Sequence, residues 1–267
     1  MLTRFPAPPL WQWSMLVTTD SPSPVPSPQP FSLPPLATPK PGSHRLRRAW
    51  RLVGIVSALL ILGASFAFPT LCAARSNANE SAAIASLKNI SSAQAQMQAS
   101  GFLDVNGNGG GEYGFFAELS GSLPVRTKDP SVVGAKVDPP LLPRRFAKVV
   151  HSRVRSGGYM FQMFLRGPDG VWVAEANDGG GMGCPVDPVK AETEWLCYAW
   201  PIVHGSSGKR AFMISQSGDV LASNLSAVTY SGEAGPFPGL AAFLHKDGVW
   251  RLAANEVDTV GNTWGAV

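Results

Sequence analysis

The longest apolar segment of the chain is residues 52–74, where 23 successive positions carry no charged side chain. A helix of that length spans about 35 Å, and the hydrocarbon core of a bilayer is about 30 Å thick. The pattern therefore predicts a transmembrane helix over 52–74. A cleaved signal peptide is the alternative, because small residues around Ala67 and Ala74 suit a signal peptidase.

Residues 77–100 show a different pattern, in which apolar residues recur at helical spacing among polar ones. The segment contains no Pro or Gly, and a narrow stripe follows one of its sides: Ala83, Leu87, Ile90, Gln94 and Met97. A helix with so narrow an apolar stripe is not stable alone, so we expect it to pack on another element. It either begins anew at Asn77, whose spacing to Glu80 fits a capping box, or continues the spanning helix.

Beyond residue 156, short apolar and aromatic runs alternate with Gly-rich turns, which is typical of antiparallel sheets. The predicted strands are 159–165, 171–174, 195–203, 210–216, 219–222, 243–244 and 249–252. Such a sheet needs an element to cover its apolar face. We therefore predict an α+β fold in which the 77–100 helix lies on a small antiparallel β-sheet. We expect an irregular connection over 122–156 and a loose C-terminus.

The N-terminal region has a composition of its own. Residues 1–43 contain twelve prolines, which exclude regular helix or sheet and predict a disordered tail with polyproline II character. A proline-rich ligand for a partner domain, a plain spacer and an N-terminus extended by a wrong start codon are the alternatives for this tail.

A basic flank over 44–51 separates the tail from the apolar segment, and it holds Arg45, Arg47, Arg48 and Arg51. The positive-inside rule then predicts a single-pass protein of the cytoplasmic membrane. The N-terminus lies in the cytoplasm, and residues 75–267 form an extracytoplasmic domain.

The charge of this domain is nearly balanced, with 16 basic and 17 acidic residues over 75–267. We expect no nucleic-acid partner, because nucleic-acid binding needs a broad basic face. A local basic cluster nevertheless occurs at Arg144, Arg145, Lys148, Arg153 and Arg155. It either contacts acidic polymers or lipid headgroups, or forms a solvated face balanced by acids elsewhere.

Three segments carry a resemblance to a known family. The segments are NESAAIASLKNISSAQAQMQASGFLDVNGNGGGEYGFFAELSG, SGGYMFQMFL and YAWPIVHGSSGKRAFMISQSGDVLAS. With the basic flank and the apolar helix before them, they resemble type IV pilins and type II secretion pseudopilins, and more closely a group of pilin-like bacterial envelope proteins. The resemblance implies a membrane-anchored α+β protein that assembles through its N-terminal helix. Pilins use a glutamate near the start of that helix for filament assembly, and this chain has no acidic residue between Asp20 and Glu80.

A glycine-rich loop follows the predicted helix and matches the opening of an EF-hand loop. Asp104, Asn106 and Asn108 supply oxygens at alternate positions, and Glu112 adds a carboxylate, which is the ligand chemistry that calcium prefers. The bidentate glutamate of an EF-hand is missing, because Phe115 occupies its position. The alternative is a plain turn built from Asn and Gly.

Three cysteines are too few for a disulfide-rich scaffold. Cys184 and Cys197 are 13 residues apart, and in an oxidising exterior they are expected to pair and close the loop between them. No histidine has zinc-ligand spacing to either cysteine.

The common motifs of hydrolases, nucleotide-binding proteins and zinc proteases are absent, so we expect no enzymatic activity. His204 precedes Ser206 and Ser207 and could be a base beside a nucleophile, but a histidine in a turn is usually plain surface. Apart from the candidate calcium, the sequence predicts no cofactor. Three functional hypotheses follow. The first is a structural or assembly role in the envelope or a secretion-type system, as a homo-oligomer or within a larger assembly. The second is a monomeric anchored module that binds an envelope polymer, and the third, which no motif supports, is an enzyme of unrecognised type.

Overall fold

A computed structural model describes residues 44–236, 241–246 and 249–267 of the chain. The predicted tail over 1–43 lies outside the described residues. The first helix, α1, extends over His44–Ser100 without interruption. It therefore continues through Asn77 instead of beginning there, which decides between the two alternatives for this segment. Glu80 does not cap a helix; its carboxylate accepts hydrogen bonds from Lys209 N and Arg210 Nε, both at 2.8 Å.

The domain after α1 is built on one antiparallel sheet and two short helices, α2 (Phe116–Leu119) and α3 (Pro188–Ala191). In spatial order the main strands are β1, β2, β4, β5, β6 and β9, while β3 pairs with β2; β7 and β8 form a separate hairpin. Their bounds are β1 (Val154–Ser156), β2 (Tyr159–Arg166), β3 (Trp172–Ala174), β4 (Trp195–Pro201), β5 (Ala211–Ser215), β6 (Val220–Ser223), β7 (Phe243–Lys246), β8 (Val249–Leu252) and β9 (Trp264–Ala266). The structure thus confirms the α+β fold with an antiparallel sheet.

The C-terminal half of α1 covers one face of this sheet. The stripe residues Leu87, Ile90 and Met97 are wholly buried in one core cluster with Phe161 of β2 and Phe212 of β5. The polar member of the stripe, Gln94, is also wholly buried. Its side-chain amide donates to Gly114 O at 2.8 Å and accepts from Gly114 N at 2.9 Å, so its burial leaves these groups satisfied. The predicted packing of the helix on the sheet is confirmed.

The opposite face of the sheet is covered as well. Tyr198 and Trp200 of β4 lie in a second core cluster with Trp264 of β9, and the Trp264 indole donates to Asp258 Oδ2 at 2.7 Å. The expectation of a loose C-terminus is wrong. Residues 264–266 pair with β6 because Trp264 is buried there completely.

The connection between α1 and the sheet is mostly irregular, as predicted for 122–156. Within 122–156 the regular parts are a 3₁₀ turn over Arg144–Phe146 and the short strand β1. The turn is held by Phe146, whose buried ring stacks on Phe116 and meets Phe161 edge-on at 5.5 Å. These contacts anchor the chain at Phe146, between the basic residues Arg145 and Lys148.

Candidate functional site

The glycine-rich loop after α1 closes on the carboxylate of Asp104. Its Oδ1 accepts hydrogen bonds from Gly107 N at 2.7 Å and Asn108 N at 3.2 Å, and its Oδ2 accepts one from Gly109 N at 2.9 Å. Gly107 and Gly109 both adopt positive φ, a conformation that glycine takes without strain. The loop is therefore folded by a carboxylate that its own backbone amides surround.

Glu192, just after α3, joins this loop. Its Oε1 accepts hydrogen bonds from the side-chain amides of Asn106 and Asn108, both at 2.8 Å. Sequence reasoning missed this contact, because 86 and 84 residues separate Glu192 from these two asparagines. No local pattern indicates such a pairing.

Glu112, the fourth predicted calcium ligand, contacts the loop through its backbone: its Oε1 accepts a hydrogen bond from Val105 N at 2.7 Å. Glu112 is also wholly buried, and its Oε2 forms an ion pair with Arg126 at 2.9 Å. Among the described residues, no group of three or more His, Cys, Asp or Glu is arranged to hold a metal ion. Calcium binding by Asp104, Asn106, Asn108 and Glu112 stays a prediction.

Arg126 lies at the centre of a buried acidic cluster. Besides Glu112 it pairs with Glu118 at 2.8 Å, and nearby Glu175 accepts backbone hydrogen bonds from Ala117 N and Gly180 N, both at 2.8 Å. Burial raises the pKa of Glu175 to about 7. Burial also raises the pKa of Glu112, against the lowering effect of Arg126. Glu112 and Glu118 thus share one guanidinium group, while Glu175 is held by backbone amides.

Cys184 and Cys197 are free thiols in the structure, so the predicted disulfide is not formed there. Cys197 is wholly buried in the central strand β4, and the Cys184 thiol is directed to Ala174 O at 3.7 Å. Burial raises the pKa of both thiols. The disulfide stays a prediction for exported protein.

The turn at His204 does not form a nucleophile–base pair. The His204 Nε2 is hydrogen-bonded to Lys209 O at 3.1 Å. The Ser207 hydroxyl donates instead to Val203 O at 3.1 Å. Both side chains therefore hydrogen-bond to the backbone of the turn and stabilise it.

The basic cluster predicted from the sequence lines a cavity of about 600 Å³. The structure gathers its five cations around this cavity, together with His151 and the carboxylate of Glu233. Arg153 forms an ion pair with Glu233. The cluster is thus a concave site, which the sequence alone did not establish.

The N-terminal part of α1 leaves its apolar side chains uncovered. Six of them between residues 52 and 71 are more than half exposed: Leu52, Val53, Ile55, Val56, Leu59 and Leu71. In the part of the chain that the structure describes, no helix has both the length and the apolar character needed to cross a membrane. The predicted span over 52–74 falls partly on residues 60–70, whose side chains lie outside the described part.

Comparisons with known proteins give no relative from which a role could be transferred. No protein-family model, no curated protein and no solved structure matches this chain.

Proposed function

We propose that the chain is a membrane-anchored, pilin-like protein whose domain lies outside the cytoplasm and has a structural or assembly role in the cell envelope or a secretion-type system. Residues 52–74 act as a single span of the cytoplasmic membrane, with the N-terminus in the cytoplasm. The extracytoplasmic domain begins near residue 75.

The observation that carries this proposal is the contrast between two parts of α1. Leu87 and Ile90 are wholly buried on the sheet, whereas Leu52, Ile55 and Leu59 are 56–66% exposed. Large apolar side chains clustered on a bare helix require a cover, since their contact with water is unfavourable. A bilayer covers them, and neighbouring copies of the same helix add to that cover in an assembly.

The orientation of the anchor is tested with reporter fusions to the full chain. A reporter that is active only in the oxidising exterior should be active after Val267 and inactive before His44. The reason is the arginine cluster of residues 45–51, which favours the cytoplasmic side. The opposite pattern would refute the orientation, and loss of residues 1–74 from the mature protein would show a cleaved signal peptide.

Assembly is tested by crosslinking the protein within the membrane. Cys72 is exposed on α1, so oxidation should join two copies through it, and an amine-reactive crosslinker should give a ladder of homo-oligomers. The Cys72→Ser variant should lose the oxidative dimer and keep the ladder. A single band with both reagents would contradict assembly.

A monomeric anchored binding module is the second candidate. The cavity lined by Arg144, Arg145 and Lys148 favours it, because concentrated positive charge in a concave surface attracts acidic ligands. In that case the anchor places a binding surface at the outer side of the membrane.

A further inference from the structure

The domain has two groups of charged side chains, the buried cluster around Arg126 and the cationic cavity around Arg144. The cavity does not involve the proposed membrane anchor. Its walls are the 3₁₀ turn Arg144–Phe146, the hairpin turn before β1 and the loop that carries Glu233. Apart from Glu233, its charged side chains are all basic: Arg144, Arg145, Lys148, Arg153 and Arg155.

The backbone that carries these cations is ordered on two walls of the cavity. Val150 and Arg153 exchange backbone hydrogen bonds of 2.9 and 3.1 Å across a two-residue turn. His151 and Ser152, in the turn, adopt φ of 51° and 62°, the left-handed values of a tight hairpin turn. On the other wall, the guanidinium of Arg145 lies 5.3 Å from the ring centre of buried Phe146. The turn and the buried ring therefore hold the segments that carry Arg145 and Arg153 on opposite walls of the cavity.

Most of this positive charge has no internal partner. Glu233 is ion-paired with Arg153. Arg144, Arg145, Lys148 and Arg155 form no ion pair with any carboxylate of the described residues. Residues 75–267 carry 16 basic and 17 acidic side chains, a net charge of −1, so the positive charge is local to the cavity. Such a concentration of like charge is unfavourable unless an anion offsets it.

We propose that this cavity binds a short segment of an acidic glycan through the carboxylate or sulfate groups of its sugars. The inference deepens the binding-module alternative and does not depend on assembly. About 600 Å³ is much more than a single inorganic anion needs. Val150, about half exposed, also lines the cavity and offers apolar contact to a sugar ring.

Two other kinds of anionic ligand, a single-stranded nucleic acid and an anionic bilayer, fit the cavity less well. Single-stranded nucleic acids are held by stacking of bases on aromatic side chains, and among the described residues that line the cavity the only aromatic ring is the small imidazole of His151, with no Phe, Tyr or Trp. A bilayer presents a flat array of headgroups, whereas these cations converge into a concave site. A flexible acidic chain can enter such a site.

The first test measures binding of the purified full chain, in neutral detergent, to dextran sulfate, polygalacturonate and neutral dextran. The two acidic glycans should bind with an affinity that falls as salt rises, and neutral dextran should not bind. The Arg144→Ala/Lys148→Ala variant should bind about tenfold more weakly, because it loses two exposed charge contacts. The control variant Lys88→Ala/Lys128→Ala removes the same charge outside the cavity and should bind like the original protein.

A second variant should raise the affinity for acidic glycans. Misfolding would lower that affinity, so an increase cannot be explained by it. Glu233→Gln removes the carboxylate that occupies Arg153, and should strengthen binding of both acidic glycans a few-fold. Asp219→Asn, an exposed carboxylate in the β5–β6 turn, is the matched control and should leave the affinity unchanged.

Several results would overturn the proposal. They are equal binding of neutral dextran, an equal loss in the Lys88→Ala/Lys128→Ala control, and binding of only a single-stranded oligonucleotide or only vesicles that contain phosphatidylglycerol. Weaker binding of Glu233→Gln would also overturn it. Topology and crosslinking are measured separately, so failure of glycan binding leaves the proposed anchor and assembly to their own tests.

Discussion

Glu175 is a buried carboxylate whose protonation is tied to the stability of the domain. Only 2% of the residue is exposed, and desolvation raises its pKa from 4.5 to about 7. In the unfolded chain the carboxyl group loses its proton near pH 4.5, while in the folded chain it keeps the proton up to about pH 7. The folded state therefore binds more protons in this window, and its stability falls as pH rises through it.

The Glu175→Gln variant should flatten this pH dependence. The original protein is expected to lose about 3 kcal/mol of unfolding free energy between pH 4.5 and 7 through this group, and the variant lacks the titrating proton. Urea unfolding at a series of pH values measures the slope. Asp178→Asn, at an exposed acid, should keep the original slope; an unchanged slope in Glu175→Gln would contradict the assignment.

Arg126 is the only cation paired with Glu112 and Glu118 among the described residues. Arg126→Ala leaves two wholly buried carboxylates without that partner, so we expect it to cost about 3–5 kcal/mol of unfolding free energy. Arg251→Ala breaks an ion pair whose two side chains are nearly half exposed and should cost about 1 kcal/mol or less. Denaturant unfolding at neutral pH compares the two variants. Equal losses of unfolding free energy would show that the buried ion pairs stabilise the domain no more than the exposed one.

Helix α1 stabilises the domain through one face only. Leu87→Ala removes a wholly buried side chain from the helix–sheet core and should cost about 2–5 kcal/mol once the cavity is counted. Lys88→Ala, at the next position, loses an exposed side chain that donates to Gly218 O and should stay within about 1 kcal/mol. Urea unfolding of the two variants in the same detergent tests the difference, and equal stability would mean that the stripe does not hold the helix on the sheet.

Local periodicity explains why these elements were predictable. The stripe through Leu87 and Ile90 repeats at helical spacing, and the β5–β6 hairpin has its strands on either side of a Gly turn. Strand β9 was missed because residues 264–266 carry only three strand positions, and their partner Leu221 is far away in sequence. Whether such a short segment forms a strand depends on its contact with a distant part of the chain.

The candidate sites also contain residues that the sequence could predict and residues that only the fold brings together. The loop through Asp104 was visible because its residues lie within a few positions of one another. Glu192 was not, since it approaches from a distant segment. The basic cluster was visible as a composition, but its concave form depends on where the fold places Glu233.

For the whole molecule, the central question is what covers the N-terminal part of α1. The sheet covers the other part of the helix on one side, while Ile55 and Leu59 are 56% and 66% exposed. If a bilayer is the cover, charge at these positions is costly, whereas charge at exposed positions over the sheet is not. An aspartate pair should therefore disturb membrane insertion when it lies in the N-terminal part of α1, and should not do so when it lies at exposed positions over the sheet.

The Ile55→Asp/Leu59→Asp variant should move the protein from the membrane fraction to the soluble fraction. Each aspartate in a spanning helix costs about 2.5–3.5 kcal/mol near the bilayer centre, so the pair costs roughly 5 kcal/mol even where the positions are off centre. The control Ser81→Asp/Ala85→Asp adds the same charge at exposed positions later in α1 and should stay in the membrane. Carbonate extraction followed by immunoblotting reads the distribution. Retention of both variants in the extracted membranes would contradict a span over 52–74, because nothing else in the proposal holds the protein there.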